Sequence, residues 1–457
     1  MLLDNCTVVT MDAERRILRD AAIVVQGNSI AAVGKSSEIR PRFPEEPVRD
    51  LHGWVVTPGL VDGHIHLPQA ILRGCGDEVP LWVWMAERIF ILEGAFTAED
   101  ARISMRLAAL EMLKAGTTAF LETLILGRHA LDQLAEAVEA TGMRAVLPRG
   151  ITDGGGYLDE SPLSKGLYEA PEEAIADALE VAKQYRDSER IRIWFGPRST
   201  GGISEELLRE LVTLARAEGM GLCQHYAMTV RERDWIRAKY GVGQAEFAER
   251  VGMLGPDVVL VHACVLEPDD IALMRGTGTS VVHCPTGPAK MGSGVTPVHL
   301  LHSAGINITL GTDAAAANNG ADLMRDLKWV GYLQKLQHAD PTVTTCEDVF
   351  EMATLGGARA LGLEAITGSI EPGKRADLIV IRTDGPGWTP DPYPVSNIVY
   401  STTGADVDTV MVDGDILMEG RQMTHLDEER ILFEARGAAE ALFERTGVRI
   451  TGRWPVS

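Results

Sequence analysis

The chain has few cysteines, and none of them are spaced as a CxxC pair: Cys6, Cys75, Cys223, Cys264, Cys284 and Cys346 are scattered over 457 residues. That argues against a disulfide framework and reads as reduced thiols in a cytoplasmic protein. Basic residues are also short, with Lys+Arg at 43 against Asp+Glu at 65, a net charge of −22. A surface of that sign repels phosphate backbones and anionic lipid, so no nucleic-acid and no membrane partner is expected. No apolar run is long enough to span a bilayer, and the opening MLLDNCTVVTMDAERR has no basic region leading into a signal peptide. Solenoid repeats and low-complexity tracts are missing as well. The 45% apolar content is ample for a large buried core and excludes disorder over most of the length.

The texture of the chain changes twice. CTVVTM (6–11), AAIVVQGNSIAAVG (21–34) and WVVTPG (54–59) read as short strands, with a hairpin-type turn at Gly27-Asn28. Apolar strands then alternate with amphipathic helices. Thr97 is placed to cap a helix with Asp100 three residues on; Ile103, Leu107, Leu110 and Leu113 follow at helical spacing, Gly116 ends the run, and TTAFLET reads as the next buried strand. MRAVLPR (143–149), IRIWFGP (191–197), GLCQHY (221–226), VVLVHA (258–263), SVVHCP (280–285) and INITLGTD (306–313) continue the series. Repeated strand-helix units of this extent fit an α/β fold closed as a (β/α)8 TIM barrel over 59–365. Strand-and-turn texture returns in GSIEPGKRADLIVI and in VDTVMVDGDILMEG, which turns at Asp413-Gly414. The expectation is a small discontinuous β-sandwich domain from residues 1–58 and 366–425, followed by a C-terminal helix (Asp427 to Arg445) and tail over 426–457.

The side chains that carry chemistry stand at the C-terminal ends of the barrel strands, where barrel enzymes build their sites. They are His64 and His66 after the first barrel strand, His225 after GLCQ, His262 after VVLV and Asp313 after ITLGT. A divalent metal wants neutral imidazoles and a carboxylate from separate elements, with a position left open for water. Any one of these histidines, His262 included, reads alone as an ordinary hydrogen-bonded core residue. The set on one rim reads as a metal site.

TPGLVDGHIH, VHAC, VVHCPTG, LGTDAAAANN and GSIEPGKRADLIVI together resemble the signature of the amidohydrolase superfamily. HLPQAILRG followed by PLWVWMAERIF is similar to the first-loop pattern of the group holding S-adenosylhomocysteine/methylthioadenosine deaminases, 8-oxoguanine deaminases and the chlorohydrolase-like s-triazine hydrolases. The resemblance implies that His64, His66 and His225 ligate one divalent metal per subunit, zinc ahead of iron, with Asp313 as a further ligand and proton acceptor. It implies that His262 polarises the attacked centre, and that the protein assembles as a homodimer or homotetramer. MRAVLPR ends without a lysine for carbamylation, which favours a mononuclear centre.

Three positions depart from the pattern. Deaminases of the group carry H-x-x-E, whereas this chain reads His225-Tyr226-Ala227-Met228, and methionine exchanges no proton. Glu122, at a strand end, is the nearest substitute acid. Arg198 stands in GPRSTGG where a histidine is usual, and it is either a fork for a carboxylate or carbonyl or a structural ion pair. Gly287 and Pro288 replace the usual Ser-Asn after HCPT. Gln69 and Arg73 can reach the pocket from the first loop. Trp82 and Trp84 offer flat faces for a planar ring, though such residues equally pack a loop upon itself. His283 reads as structural, and His129 carries no spacing signal.

The expected function is a metal-dependent hydrolase of the aminohydrolase type that attacks an sp2 carbon of a small nitrogen heterocycle and releases ammonia. Met228 keeps a second reaction open, the displacement of chloride, alkylamine or thioether, or an amide-like cleavage. A catalytically silent metal-binding paralogue is the remaining alternative, and the full set of five metal-site residues argues against it.

Overall fold

The computed structural model describes residues 1–154, 167, 169–450, 452 and 454. The chain begins with β1 (Leu2–Val9), β2 (Ile17–Gln26), β3 (Ser29–Lys35), β4 (Val48–Asp50) and β5 (Val55–Pro58). β2 and β3 pair antiparallel across Gly27-Asn28, and Gly27 takes the left-handed conformation (φ 58°) that the tight turn needs. Eight strands follow in the middle of the chain: β6 (Leu60–Ile65), β7 (Thr117–Glu122), β8 (Arg144–Ile151), β9 (Ile191–Pro197), β10 (Leu222–Tyr226), β11 (Val258–His262), β12 (Ser280–His283) and β13 (Asn307–Leu310). The C-terminal part adds β14 (Leu378–Ile381), β15 (Val407–Val412), β16 (Asp415–Glu419) and β17 (Gln422–Met423).

β14 pairs antiparallel with β5, so strands from both chain ends join one nine-stranded sheet ordered β17-β16-β15-β14-β5-β1-β2-β3, with β4 beside β1. Its junction with the barrel is ionic and buried. Arg144, at the start of β8, reaches Asp377 with Nε at 2.7 Å and also pairs with Asp413; both it and Asp377 are essentially fully buried. Removing any one of these partners would strand an uncompensated charge inside the protein.

The eight middle strands run parallel in chain order from β6 to β13. Runs such as Val258–His262 are buried at every residue, as strands covered on both faces must be. The barrel closes where the Asp313 amide donates to the His64 carbonyl at 2.8 Å. Asp62 reinforces the seam: its carboxylate accepts from the Thr312 hydroxyl (2.6 Å), the Thr312 amide (3.1 Å) and the His64 amide (3.1 Å). The first and last barrel strands are thereby held in register at the rim that carries the histidines.

The helix Ala98–Lys114 starts with the expected capping box between Thr97 and Asp100, a feature worth about 1 kcal/mol. The segment between β6 and that helix is itself helical, with turns at Leu67–Leu72, Leu81–Trp84 and Phe90–Gly94. Ile71, Leu72, Trp84 and Phe90 pack there with Ala435, Ala438 and Leu442 of the C-terminal helix Glu428–Thr446. The last helix therefore braces the segment that roofs the site. Among the described residues no helix is long and apolar enough to cross a membrane.

Candidate metal centre and substrate pocket

All five rim residues converge. His64 Nε2 lies 3.3 Å from Asp313 Oδ1, and His66 Nε2 lies 3.9 Å from the same oxygen and 3.3 Å from His225 Nε2. The His262 ring centre is 5.3 Å from that of His64 and 5.6 Å from that of His225. The donor atoms of His64, His225 and His262 fall within 4.8 Å of one another, as do those of His64, Cys284 and Asp313. Cys284 was not singled out from the sequence, because a lone cysteine after a strand has no spacing to mark it. His262 and Asp313 take positive φ values of 77° and 63°, a conformation that costs energy in non-glycine residues and is retained where geometry matters.

Two of the imidazoles are oriented by a hydrogen bond at Nδ1, and the others are held by what lies around them. His225 Nδ1 donates to the Arg198 carbonyl at 3.2 Å, so its Nε2 presents a lone pair toward the centre. The Thr123 hydroxyl bonds His64 Nδ1. Glu122 Oε1 lies 3.8 Å from His66 Nδ1, while its carboxylate accepts the Leu67 and Leu124 amides at 2.5 and 3.2 Å. Behind His262, the Thr296 hydroxyl donates to the His262 carbonyl at 2.6 Å and is met by His283 Nδ1 at 2.9 Å, which gives His283 the expected structural place.

Burial holds His64, His66 and His262 well below the usual imidazole range and lowers His225 too, so all four are neutral at ordinary pH. The result is a knot of lone pairs beside one carboxylate, with His64 Nε2 buried and without a hydrogen-bond partner among the described residues. Unpaired buried acceptors are costly, and a divalent cation at their focus would satisfy them together. The donor set of three imidazoles and a carboxylate fits zinc.

Above this cluster opens a cavity with apolar walls and a few polar groups, the make-up of a site for a small organic molecule. His66, His225, His262 and Asp313 form its floor, with Trp84, Phe90 and Met228 among the apolar walls. Gln69 lines it as expected, and its Nε2 donates to Glu93 Oε1 at 2.7 Å. Burial raises the Glu93 carboxyl to about 7. Arg198 also lines the cavity, 4% exposed, with its guanidinium 5.0 Å from the Phe90 ring centre.

Three expected pocket residues lie elsewhere. Trp82 is not on the cavity wall; its ring faces the Arg231 guanidinium at 4.7 Å. Leu81–Trp84 is helical rather than a loop, so residues two apart point to opposite sides and only Trp84 turns inward. Glu122 is likewise off the wall, held beneath His66 by the Leu67 and Leu124 amides, and cannot stand where Met228 replaces the acid. Arg73 turns outward to pair with Glu111.

Besides Glu93 and Asp313, the acid that lines the cavity is Glu232, beside Met228. It is 3% exposed, it accepts the Met228 amide through Oε2 at 3.0 Å, and its own amide donates to the Thr229 hydroxyl at 3.2 Å. Thr229-Val230-Arg231-Glu232 has the T-x-x-E form of a helix start, the signal that would have brought Glu232 back under Met228. Burial raises its carboxyl to about 7, partly offset by the Met228 and Ala227 amides and the Thr200 hydroxyl.

The Gly287 departure has a steric reason. A Cβ at residue 287 would lie 2.6 Å from Asp313 Oδ2, so only glycine lets this loop pass over the carboxylate as it stands.

The model of the amidohydrolase family matches residues 55–417. The chain is 34% identical over 447 residues to a 5-methylthioadenosine/S-adenosylhomocysteine deaminase of Pelotomaculum thermopropionicum, covering 97% of this chain and 99% of that one. A zinc-bound crystal structure of an adenosine deaminase from Xanthomonas campestris superposes with a TM-score of 0.91 at 29% identity, over 97% of this chain and 98% of that one. A zinc complex of the atrazine chlorohydrolase of Arthrobacter aurescens TC1 superposes with a TM-score of 0.87 at 25% identity, over 96% and 99%. The chain belongs to the amidohydrolase family and is a hydrolase.

Proposed function

We propose that the protein is a zinc-dependent deaminase of adenine nucleosides, with one ion per subunit, that replaces the ring amino group by oxygen. The observation that carries this reading is the knot of four neutral imidazoles and Asp313 on the floor of a pocket that is apolar on its walls and polar at Gln69 and Glu93. A flat purine suits the space by Trp84 and Phe90, and sugar hydroxyls suit a buried carboxylate such as Glu93. The likeness to deaminases of methylthioadenosine, S-adenosylhomocysteine and adenosine supports that substrate class. The six free thiols are in keeping with a cytoplasmic setting.

The ion would be held by His64, His66, His225 and Asp313, and its Lewis acidity would bring the pKa of water to about 7. The chain's own residues do the rest. Asp313 takes a proton from the attacking water and delivers it to the departing amine. His262, neutral and buried on the same floor, hydrogen-bonds the oxygen that adds to the ring. The pocket walls exclude bulk water and hold the ring over the attacking oxygen.

The test is ammonia release by zinc-loaded protein from adenine nucleosides, amino-pyrimidines, pterins and amino-triazines, with a chelator-treated control. Chelator-sensitive release from the nucleosides supports the reading. Release of chloride or alkylamine instead, with no ammonia, would establish the second reading, which Met228 and the likeness to the chlorohydrolase favour.

A further inference from the structure

We propose that Glu232 supplies the proton that Met228 cannot, entering the reaction from the first turn of the helix Val230–Tyr240 rather than from the strand end. The assignment rests on the deaminase reading above. Met228 and Glu232 border the same cavity, and the bond from the Met228 amide to Glu232 Oε2 places the carboxyl group directly behind the methionine. Thr229 fixes that first turn by accepting the Glu232 amide. The Ala227 amide and the Thr200 hydroxyl also bear on this carboxylate, while Oε1 is buried and completes no hydrogen bond of good geometry among the described residues.

A buried carboxylate oxygen without a well-formed hydrogen bond is expensive, whereas the protonated group has an O–H to donate into the pocket. Burial holds the Glu232 carboxyl near 7, so the acid form is available near neutrality. Of the other acids, Asp313 serves the attacking water, Glu93 accepts from Gln69, and Glu122 is off the cavity wall beneath His66.

The step balances without a further reactant. Oxygen of the attacking water bonds to the ring carbon that bears the amino group. The ring carbon–nitrogen π bond breaks toward nitrogen, which takes the Glu232 proton. Asp313 carries one water proton to the amine, which leaves as ammonia with the electron pair of the broken bond. The remaining hydroxyl proton returns to the Glu232 carboxylate as the carbonyl forms.

The test compares the unaltered zinc-loaded protein with Glu232→Gln and with the double variant Glu232→Gln/Met228→Glu, using ammonia release, zinc content and melting temperature. Glu232→Gln is expected to lower kcat by about 10²–10⁴-fold while KM and zinc content hold. Adding Met228→Glu, which restores an acid beside the ring, is expected to recover much of that loss. A second readout needs no turnover. Purine riboside has no leaving group and can only add water at the ring, so its ultraviolet band should fall on binding to the unaltered protein and persist with Glu232→Gln. Retained kcat in Glu232→Gln, or an unchanged fall of that band, overturns the assignment while leaving the deaminase reading intact. Should the single variant lose zinc or unfold, the double variant decides: recovered kcat supports the assignment, and no recovery overturns it. No ammonia release from the unaltered protein overturns the deaminase reading and this assignment with it.

Discussion

The carbonyl oxygen of Arg198 accepts the Nδ1 hydrogen of His225 at 3.2 Å, so a residue of the pocket wall sets the tautomer of a residue on the floor. The same logic recurs at His64, where the Thr123 hydroxyl bonds Nδ1. In each case the support comes from a neighbouring strand or its end. The barrel therefore does more than collect ligands: its register decides which nitrogen of the His64 and His225 rings faces the centre.

Thr123→Val keeps the shape of a buried side chain and removes the group that orients His64. Zinc affinity should fall about 10–100-fold, with little change in the fold. Competition against a chromophoric chelator measures it. An affinity equal to that of the unaltered protein would show that packing alone orients the ring.

Asp313 is both the carboxylate beside His64 Nε2 and the group assigned to move the water proton. Asp313→Asn retains an oxygen donor and loses the base, so kcat should drop by about 10²–10⁴-fold. Chelation of the unaltered protein should abolish ammonia release, and one equivalent of zinc should restore it. Activity that survives complete metal removal, confirmed by elemental analysis, would count against the whole assignment.

Gly287→Ala probes the tight passage over the same carboxylate. The new methyl group would sit 2.6 Å from Asp313 Oδ2, so the loop or the carboxylate must shift. Activity should fall well beyond any loss in melting temperature, because a displacement of about 1 Å at a reacting group can cost on the order of 10²-fold. Equal losses in both would point to general destabilisation.

The barrel and its histidine rim were legible in the sequence because strand ends are legible. Uninterrupted apolar runs such as VVLV end in a polar residue, and parallel strands put those ends on one rim. What escaped depended on helix phase. Trp82 and Trp84 were indistinguishable until Leu81–Trp84 proved helical and turned them to opposite sides. Glu232 stood seven residues past His225 with nothing to link it to the site until the helix beginning at Val230 folded it back beneath Met228. Glu122 misled for the converse reason: it ends a strand as the ligands do, but two backbone amides bind its carboxylate below the rim.

His129 lies outside the metal centre and makes the pH dependence of stability testable. Its Nδ1 accepts the Leu126 amide at 3.1 Å, which requires the neutral ring, and burial aided by Arg149 and Arg128 lowers its pKa from 6.5 to about 3. Between those values the unfolded chain binds a proton that the folded chain refuses. The contribution to stability is therefore complete above pH 6.5 and is lost as the pH falls toward 3, with a slope of up to about 1.4 kcal/mol per pH unit for one group. His283, also lowered to about 3 by burial, adds a slope of the same sign. His129→Asn keeps an oxygen that can accept the Leu126 amide and removes the titration. Melting temperature followed from pH 7 to about pH 4 at constant zinc should fall less steeply in this variant than in the unaltered protein. An identical slope would mean that His129 is reached by solvent and titrates as an ordinary imidazole.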